Sequence, residues 1–174
     1  MTLEQKQFIQ TCRDQYLSDL KENIMPFWLK YGLDRVNGGV YTCLDRDGTL
    51  MDTTKSVWFQ GRFGFICAYA YNNVEKNPEW LAASKSCIDF SNAHCYDTDG
   101  HMFFTVTGDG QPVQKRRYVF SECFAIIAMA EYALASGDMS YAKKALDLFY
   151  RTREMLNTPG FLPPKTTQTG YSHS

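Results

Sequence analysis

The chain has 174 residues, of which 44% are apolar and 15% aromatic, so it is not a disordered or fibrous protein and suits one ordinary domain or part of a larger one. Its 18 basic and 19 acidic residues are mixed along the chain, and the net charge of -1 gives no electrostatic signature of binding to nucleic acid or to an anionic membrane. The first residues lack the apolar run of a secretion signal, and no stretch approaches the roughly 18 apolar residues that span a bilayer. We therefore expect a cytoplasmic protein without nucleic-acid or membrane partners.

Hydrophobic spacing predicts five helices, and their ends carry capping signals. At the start of the first helix, Thr2 and Gln5 can form a capping box, and Pro26 stops or kinks this helix further on. Asn77 is the N-cap of the third helix and precedes a proline at the first helical position, and Gly137 ends the fourth helix. The second, fourth and fifth helices are predicted over about 56–72, 119–136 and 138–157.

The five helices are of two kinds. The first, third and fifth are amphipathic, whereas the second and fourth are apolar on all sides over 63–71 and 124–130, which predicts burial on all sides. Alternating outer amphipathic and inner apolar helices predict two concentric layers. The residues predicted to face inward are Ile9, Cys12, Tyr16, Leu17, Leu20 and Ile24 in the first helix, Leu81, Ser84, Cys87, Ile88 and Ser91 in the third, and Ala142, Ala145, Leu146, Phe149 and Leu156 in the fifth.

A repeat in the sequence supports this layering. Each copy is predicted to be a β-hairpin over 40–50 or 102–113, turning at a D-G pair, followed by an inner and then an outer helix. The fold class predicted from this order is all-α, an α/α toroid with short β-hairpins between its helices. A shift of 62 residues places Asn37-Gly38 on Asp99-Gly100, Asp47-Gly48 on Asp109-Gly110, Trp58 on Phe120, Gln60 on Glu122 and Ala68 on Ala130.

The length of the chain does not fit a closed ring. At 62 residues per repeat, 174 residues hold fewer than three helical hairpins, whereas a ring of six needs about twice as much chain. The run from Phe161 to Ser174 also shows no closing helix. One interpretation is a half-ring that pairs with another chain, and the other is the front part of a longer protein. We favour the second, in which residues 1–174 are one partial domain that holds the first three helical hairpins, the last of them incomplete.

The cysteines and histidines predict no metal site. The six cysteines are scattered, without a C-x-x-C pair or a histidine at ligand spacing, and most fall on apolar helix faces. We predict buried, reduced thiols at most of these positions. His94 and His101 lie in a turn-rich segment and are predicted to have structural or surface roles.

Candidate site residues lie at the starts of the two inner helices, which surround one mouth of the cavity in an α/α ring. Trp58, Gln60 and Arg62 occupy the first two turns of the second helix, and Trp58 and Arg62 share a face. A polar ligand can supply the partners that a buried arginine needs, and the planar guanidinium suits the vicinal oxygens of a sugar. Trp58 could stack on the sugar ring. In the alternative interpretation, which is compatible with the first, Arg62 pairs with Glu122 as a buried structural ion pair.

Three segments resemble the N-acylglucosamine 2-epimerase family. Residues 58–63, WFQGRF, resemble its W-x-Q-x-R-x signature, and residues 117–124, RYVFSECF, resemble the F-S-E-C-F segment of its N-acetylglucosamine epimerase branch. Residues 37–41, NGGVY, resemble the first hairpin of the family. The resemblance covers essentially the whole chain, as the N-terminal half of a protein about twice as long.

The resemblance implies the N-terminal half of an (α/α)6 barrel that interconverts N-acetylglucosamine and N-acetylmannosamine by moving the proton at C2. It implies an amino-sugar substrate and a homodimer when full length. No cofactor is required, although ATP or another nucleotide could act as an effector by resemblance alone, since the chain has no G-x-x-x-x-G-K-[ST] motif. Arg62 matches the family arginine that contacts a substrate oxygen. The substrate-binding set predicted here is Arg62, Trp58, Gln60, Phe120 and Glu122.

The resemblance also implies that part of the active site lies outside this chain. Two histidines move the proton in the family, and none of His94, His101 or His173 matches them, so we expect that pair beyond Ser174. A tyrosine used by related cellobiose epimerases and aldose–ketose isomerases falls at Phe120, which favours the N-acylhexosamine branch. The neighbouring Tyr118 cannot simply inherit that role.

Other functions stay open at this point. A carbohydrate-binding or protein-binding half-barrel could keep the cavity face without catalysis, and a cellobiose 2-epimerase or aldose–ketose isomerase could share the fold. A glycosidase or lyase needs a pair of carboxylates across the cavity, and Glu122 is the only acid near the starts of the inner helices. That hypothesis therefore ranks last.

Overall fold

The computed structural model describes residues 1–163, and it begins with a long helical segment whose character changes along its length. Helix α1, Leu3–Ser18, continues through π-helical turns over Asp19–Ile24, the short α2 over Met25–Phe27, and further π-helical turns over Trp28–Gly32. The predicted capping box is confirmed, because Thr2 and Gln5 exchange side-chain to backbone hydrogen bonds of 2.9 and 3.2 Å.

Pro26 neither stops this segment nor ends its helical hydrogen bonding. The prediction of a stop is wrong because the wider π-helical turns on both sides of α2 tolerate a residue that lacks an N–H and crowds the preceding turn. Helical structure therefore persists to Gly32.

The apolar stripe of α1 is exposed, contrary to the prediction. None of the residues of α1 is buried, and the side chains of Ile9 and Tyr16 are 54% and 68% exposed. Cys12, Leu17 and Leu20 of the same predicted set are half-buried, and Leu20, just after α1, packs against the core. Burial begins only at Met25, which is 1% exposed.

The other four predicted helices are confirmed to within about one residue at each predicted boundary. They are α3 over Val57–Asn73, α4 over Pro78–His94, α5 over Phe120–Ser136 and α6 over Met139–Asn157. Asn77 caps α4 by accepting a hydrogen bond from the amide of Glu79, and Asp138 caps α6 in the same way. Gly137 ends α5 in the left-handed conformation, with φ of +75°.

The helices pack in the predicted alternation. The inner helix α3 packs mainly against α5 and α4, and α5 also packs against α6, so α4 and α6 form the outer layer. The backbones of the inner helices approach closely at Gly61, where an added Cβ would lie 2.6 Å from the carbonyl carbon of Phe124. The absence of a side chain at Gly61 therefore sets the spacing between α3 and α5.

Two burial predictions for these helices need correction. The inner helices are not buried on all sides over the predicted ranges, because Tyr69 of α3 is 50% exposed and Ile127 of α5 is 38% exposed. In α6 the buried residues include Ala145 and Leu148, while Leu146 and two other residues predicted to be buried are exposed. The three exposed residues are Leu146, Phe149 and Leu156. The face of α6 that packs against α5 is thus rotated around the helix axis from the face predicted from apolar residues alone.

Both predicted hairpins form. Strands β1, Cys43–Leu44, and β2, Leu50–Asp52, pair antiparallel, and so do β4, Thr105–Val106, and β5, Pro112–Gln114. The matching D-G turns place Gly48 and Gly110 at φ of +90° and +93°, which confirms that the two copies share a backbone conformation there. A strand not predicted from the sequence, β3 over Lys55–Ser56, pairs with β4 and joins the second hairpin to the start of α3.

All six cysteines are free, but only Cys67, Cys87 and Cys95 are buried, so the prediction of buried thiols at most positions is wrong. Cys43 lies in a two-residue strand and Cys123 on the exposed side of α5, where both are exposed, and Cys12 is half-buried. Burial raises the pKa of the Cys67 and Cys95 thiols to about 12, so both are protonated at neutral pH. No helix within residues 1–163 has the length and apolarity needed to cross a membrane.

Candidate functional site

The start of α3 presents a cation framed by aromatic rings. The guanidinium carbon of Arg62 lies 6.0 Å from the ring centre of Trp58 and 5.8 Å from that of Phe124 on α5. The two rings are themselves 5.6 Å apart, so α3 and α5 contribute to one cluster. Arg62 is exposed and forms no ion pair with any residue of the described part of the chain. Its donors are available to an external acceptor.

Phe120 extends this cluster along the start of α5. Its side chain is 59% exposed and stacks on Tyr118, with ring centres 5.4 Å apart and planes 23° from parallel. An exposed aromatic ring is a suitable surface for the apolar face of a sugar. We name the exposed sides of the two inner helices the α3–α5 face, which consists of Trp58, Arg62, Ile66 and Tyr69 of α3 and Phe120, Phe124, Ile127 and Leu134 of α5.

Gln60 and Glu122 are fully buried and hold the backbone. The amide N–H of Val40 donates to Gln60 Oε1 at 2.8 Å, and Gln60 Nε2 donates to the carbonyl of Val40 at 2.7 Å. At the equivalent position of the second repeat, the N–H of Met102 donates to Glu122 Oε1 at 2.6 Å. Both side chains thus fasten the loop before a hairpin to the start of an inner helix. Their predicted contact with substrate stays a prediction.

Glu122 pairs with His101 and not with Arg62. The Nδ1 atom of His101 lies 2.6 Å from Glu122 Oε1, and both side chains are almost completely buried. The structural ion pair between Arg62 and Glu122 considered from the sequence does not form in residues 1–163. The structural role predicted for His101 is confirmed, and the sequence signal is that the repeat aligns the pair His101 and Glu122 with Gly39 and Gln60.

A buried lysine that sequence reasoning missed ties the two repeats together. Lys55 is fully buried, and its ammonium donates to Asp34 Oδ2 at 2.7 Å and to the carbonyls of Gly38 and Gly108 at 2.8 and 2.7 Å. Burial by itself raises the pKa of the Asp34 carboxyl. The hydrogen bonds from Lys55 and the nearby amides together lower this pKa by more than burial raises it, and leave it well below its usual range. The polar sequence around Lys55 resembles a solvated loop, so only its pairing in β3 reveals the burial.

The comparisons with known proteins agree on the family. The sequence model of N-acylglucosamine 2-epimerase (GlcNAc 2-epimerase) matches residues 39–161. This chain belongs to the N-acylglucosamine 2-epimerase family. It is 33% identical to the N-acylglucosamine 2-epimerase of Bos taurus over 149 residues, which are 83% of this chain and 35% of the bovine protein. It is also 31% identical to a cellobiose 2-epimerase of Ruminococcus albus, over 78% of this chain and 34% of that protein.

A solved structure identifies the architecture. The cellobiose 2-epimerase of Spirochaeta thermophila superposes with a TM-score of 0.76 at 26% identity, over 98% of this chain and 40% of that one. Such epimerases are (α/α)6 barrels, so the helices described here have the fold of the N-terminal part of that barrel, as predicted. The chain spans little more than a third of the length of the curated relatives it matches.

Proposed function

We propose that this chain supplies one wall of the sugar site in an epimerase that interconverts N-acetylglucosamine and N-acetylmannosamine. The observation that carries the proposal is Arg62, exposed on the α3–α5 face between aromatic rings from both inner helices and without an anionic protein partner in residues 1–163. Membership of the family supports an isomerase acting on a sugar. Residues 1–174 are then one partial domain of a barrel.

The chemistry explains why these residue types suit such a site. Inversion at C2 requires the open-chain sugar, in which the carbonyl group makes the neighbouring C2 proton acidic. Removing that proton builds negative charge on the carbonyl oxygen, and a fixed, permanently charged guanidinium such as Arg62 stabilises that charge. The indole of Trp58 and the ring of Phe120 offer flat apolar surfaces to the sugar carbons.

The proton transfer itself needs groups that the described residues do not supply. An acid and a base with pKa values near neutral are required on opposite faces of C2. Both ring nitrogens of His101 are occupied, and the ring of His94 packs against Phe90 at 5.0 Å and against Gly110. From the family resemblance we propose that the catalytic histidine pair lies beyond Ser174. The full-length homodimer and an ATP effector are proposals from family resemblance alone.

A second candidate substrate is a disaccharide. The similarity to cellobiose 2-epimerases favours it, since one such enzyme matches 78% of this chain in sequence and another matches 98% of it in structure. Phe120 favours the amino sugar, because a phenyl ring has no hydroxyl to donate where the related cellobiose enzymes are expected to carry a tyrosine.

Proton exchange at C2 in heavy water tests the proposal directly, because every turnover replaces the C2 proton by deuterium. The complete gene product that contains these residues is incubated separately with N-acetylmannosamine, N-acetylglucosamine and cellobiose, and loss of the C2–H signal is followed by NMR. We expect exchange with the two amino sugars. Exchange with cellobiose alone would establish the second candidate, and exchange with none of the three would overturn both.

A further inference from the structure

The second repeat contains a proton that the first repeat does not need. In the first repeat the neutral carboxamide of Gln60 both accepts from and donates to Val40. In the second repeat the carboxylate of Glu122 can only accept, and its partners are the N–H of Met102 and the imidazole of His101. The hydrogen bonds of Gln60 and Glu122 are equivalent in position, but only those of Glu122 depend on a titratable proton.

Hydrogen-bond geometry fixes where protons lie on His101. Its Nε2 atom is 2.8 Å from the carbonyl oxygen of Arg116, which can only accept, so Nε2 carries a hydrogen. Its Nδ1 atom is 2.6 Å from Glu122 Oε1. A second proton must lie between these two atoms, on either the imidazole or the carboxyl, because two lone pairs cannot face each other at this distance in a buried site.

We infer that His101 is a positioning residue, and that one proton shared with Glu122 fastens the linker Lys115–Val119, and with it Phe120, to the core. Without that proton the neutral imidazole has a single N–H. The imidazole donates that hydrogen from Nδ1 to the carboxylate, which is the stronger acceptor. Its Nε2 atom then presents a lone pair to the carbonyl oxygen of Arg116, and the hydrogen bond between them is lost. Losing the proton therefore releases the linker.

The other polar attachments of the linker to the core are made by its side chains, beginning with the ion pairs of Lys115 with Asp97 and Asp99. The guanidinium carbon of Arg116 lies 3.7 Å from the ring centre of Phe104, and its Nε is buried without a hydrogen-bond partner in the described residues. Arg117 Nε donates to the carbonyl of Pro163 at 3.1 Å. Within residues 1–163, His101 is the side chain that joins the linker backbone, at the carbonyl of Arg116, to the buried carboxylate of Glu122.

The groups around the pair favour retention of the proton. Burial by itself lowers the pKa of His101, but the hydrogen bond and charge of Glu122 and the carbonyl of Arg116 raise it above its usual value, against a small opposing effect of Lys115. The charge of Lys115 is offset by Asp97 and Asp99, each 2.6 Å away.

The remaining titratable groups near the pair do not compete for this proton. Burial, and then the charge of Glu122, raise the pKa values of both Tyr96 and Cys123, which favours the neutral form of each. The charge of Arg151 of α6 acts on Tyr96 with the opposite sign. Glu122 Oε2 is buried without a hydrogen-bond partner in residues 1–163, which leaves Oε1 as the only bonded oxygen.

Histidine and backbone NMR signals test the inference. In protein labelled with 15N, the ring nitrogens of His101 and the amides of Tyr118 and Phe120 are followed from about pH 5 to about pH 9. We expect both ring nitrogens to be protonated at the acidic end, one proton to be lost at a midpoint above that of a free histidine, and the linker amides to shift with the same midpoint. Linker amides that do not follow His101 would overturn the inference.

Variants separate this mechanism from a general effect of pH. Glu122→Gln removes the carboxylate that retains the proton, so the midpoints of His101 and of the linker amides should move to lower pH together. His94→Gln is the matched control and should leave both midpoints unchanged. If Glu122→Gln does not fold, the comparison of midpoints in the unmodified protein and in His94→Gln decides. The inference rests on the proposed function because Phe120 is a proposed sugar contact. Its test measures the NMR signals of the linker and not turnover, so the inference and the proposed function can fail separately.

Discussion

Two cationic side chains near the start of α3 illustrate opposite uses of charge. Lys55 is fully buried and has three oxygen acceptors within 2.8 Å. Arg62, seven residues later, is exposed and within residues 1–163 lies beside aromatic rings without an ion-pair partner. A cation with satisfied donors stabilises the fold, whereas a cation with free donors is available to a ligand. Substitution of each residue should therefore change a different property of the protein.

Replacing Arg62 should affect catalysis and not folding. In the complete gene product, Arg62→Ala should lower kcat/KM by about tenfold or more, since a lost hydrogen bond to a charged group is worth about 1.5–3 kcal/mol. Arg62→Lys keeps the charge without the planar donors, so its kcat/KM should lie between the values of the unmodified protein and of Arg62→Ala. Thermal unfolding should be unchanged in both variants, and Arg13→Ala on the exposed surface of α1 is the control. Turnover close to normal in folded Arg62→Ala would assign Arg62 a structural role.

Replacing Lys55 should affect folding. Lys55→Met leaves the carboxylate of Asp34 buried without its cation and should lower the free energy of unfolding by about 3–5 kcal/mol, measured by urea titration. Adding Asp34→Asn removes the unpaired charge and should recover part of the loss. Lys143→Met, which breaks an exposed pair with Asp147, should cost less than about 1 kcal/mol. A similar loss for the two lysine variants would contradict the structural role of Lys55.

The Lys55 pair also predicts how stability depends on acid. The folded-state pKa of Asp34 is lowered, so its contribution to stability is present above the unfolded pKa of about 3.9 and is lost as the pH falls toward the folded value. We expect Lys55→Met to flatten this acid-side decline in the free energy of unfolding. A decline as steep as that of the unmodified protein would show that other carboxylates cause it.

At the scale of helices, two glycines of α3 have different neighbours. An added Cβ at Gly61 would lie 2.6 Å from the carbonyl carbon of Phe124 and 2.7 Å from the amide nitrogen of Ala125, both backbone atoms of α5. At Gly64 the nearest atom would be Cys87 Cβ, at 3.4 Å, which is an ordinary contact. Only the first glycine is required for α3 and α5 to approach each other.

A pair of alanine substitutions tests this difference. Gly61→Ala should destabilise the protein by about 1–3 kcal/mol, because the methyl group forces two helix backbones apart. Gly64→Ala should be neutral or stabilising by up to about 1 kcal/mol, since alanine favours a helix more than glycine does. The free energies of unfolding of the two variants are compared by urea titration. Equal values would mean that helix propensity, and not the spacing of α3 and α5, governs both positions.

The helices could be predicted from sequence where local chemistry determines them. The N-cap at Asn77 and the left-handed Gly137 define boundaries through their own hydrogen bonds and dihedral angles, so their positions were correct. Which face is covered depends on other elements, and for this reason the exposed stripe of α1 and the rotated face of α6 were predicted wrongly. Lys55 and the two-residue β3 escaped prediction because their burial results from pairing between the two repeats.

For the whole molecule, the repeat predicted more than the individual elements did. The shift of 62 residues correctly paired Gln60 with Glu122, and both fasten equivalent backbone amides. It also led to two helical layers, which the packing of α3 and α5 between α4 and α6 confirms. The composition of the candidate site could be proposed in advance, but the contacts of Gln60 and Glu122 could not, because a buried polar side chain can bind either backbone or ligand.

The α3–α5 face predicts how the 174-residue chain should behave when it is expressed alone. Ile66, Tyr69, Ile127 and Leu134 are between 38% and 70% exposed on two adjacent helices, and apolar patches of this kind are uncommon on soluble monomers. We expect the isolated chain to self-associate, as measured by sedimentation at several concentrations, and the double variant Ile127→Lys, Leu134→Lys to reduce that association. Lys76→Ala, outside this face, is the control.

The isolated chain should also show no C2 exchange with N-acetylmannosamine in heavy water, because its described histidines are engaged elsewhere. A monomeric chain would mean that the α3–α5 face needs no cover, and exchange above background would place the proton-transfer groups within these 174 residues.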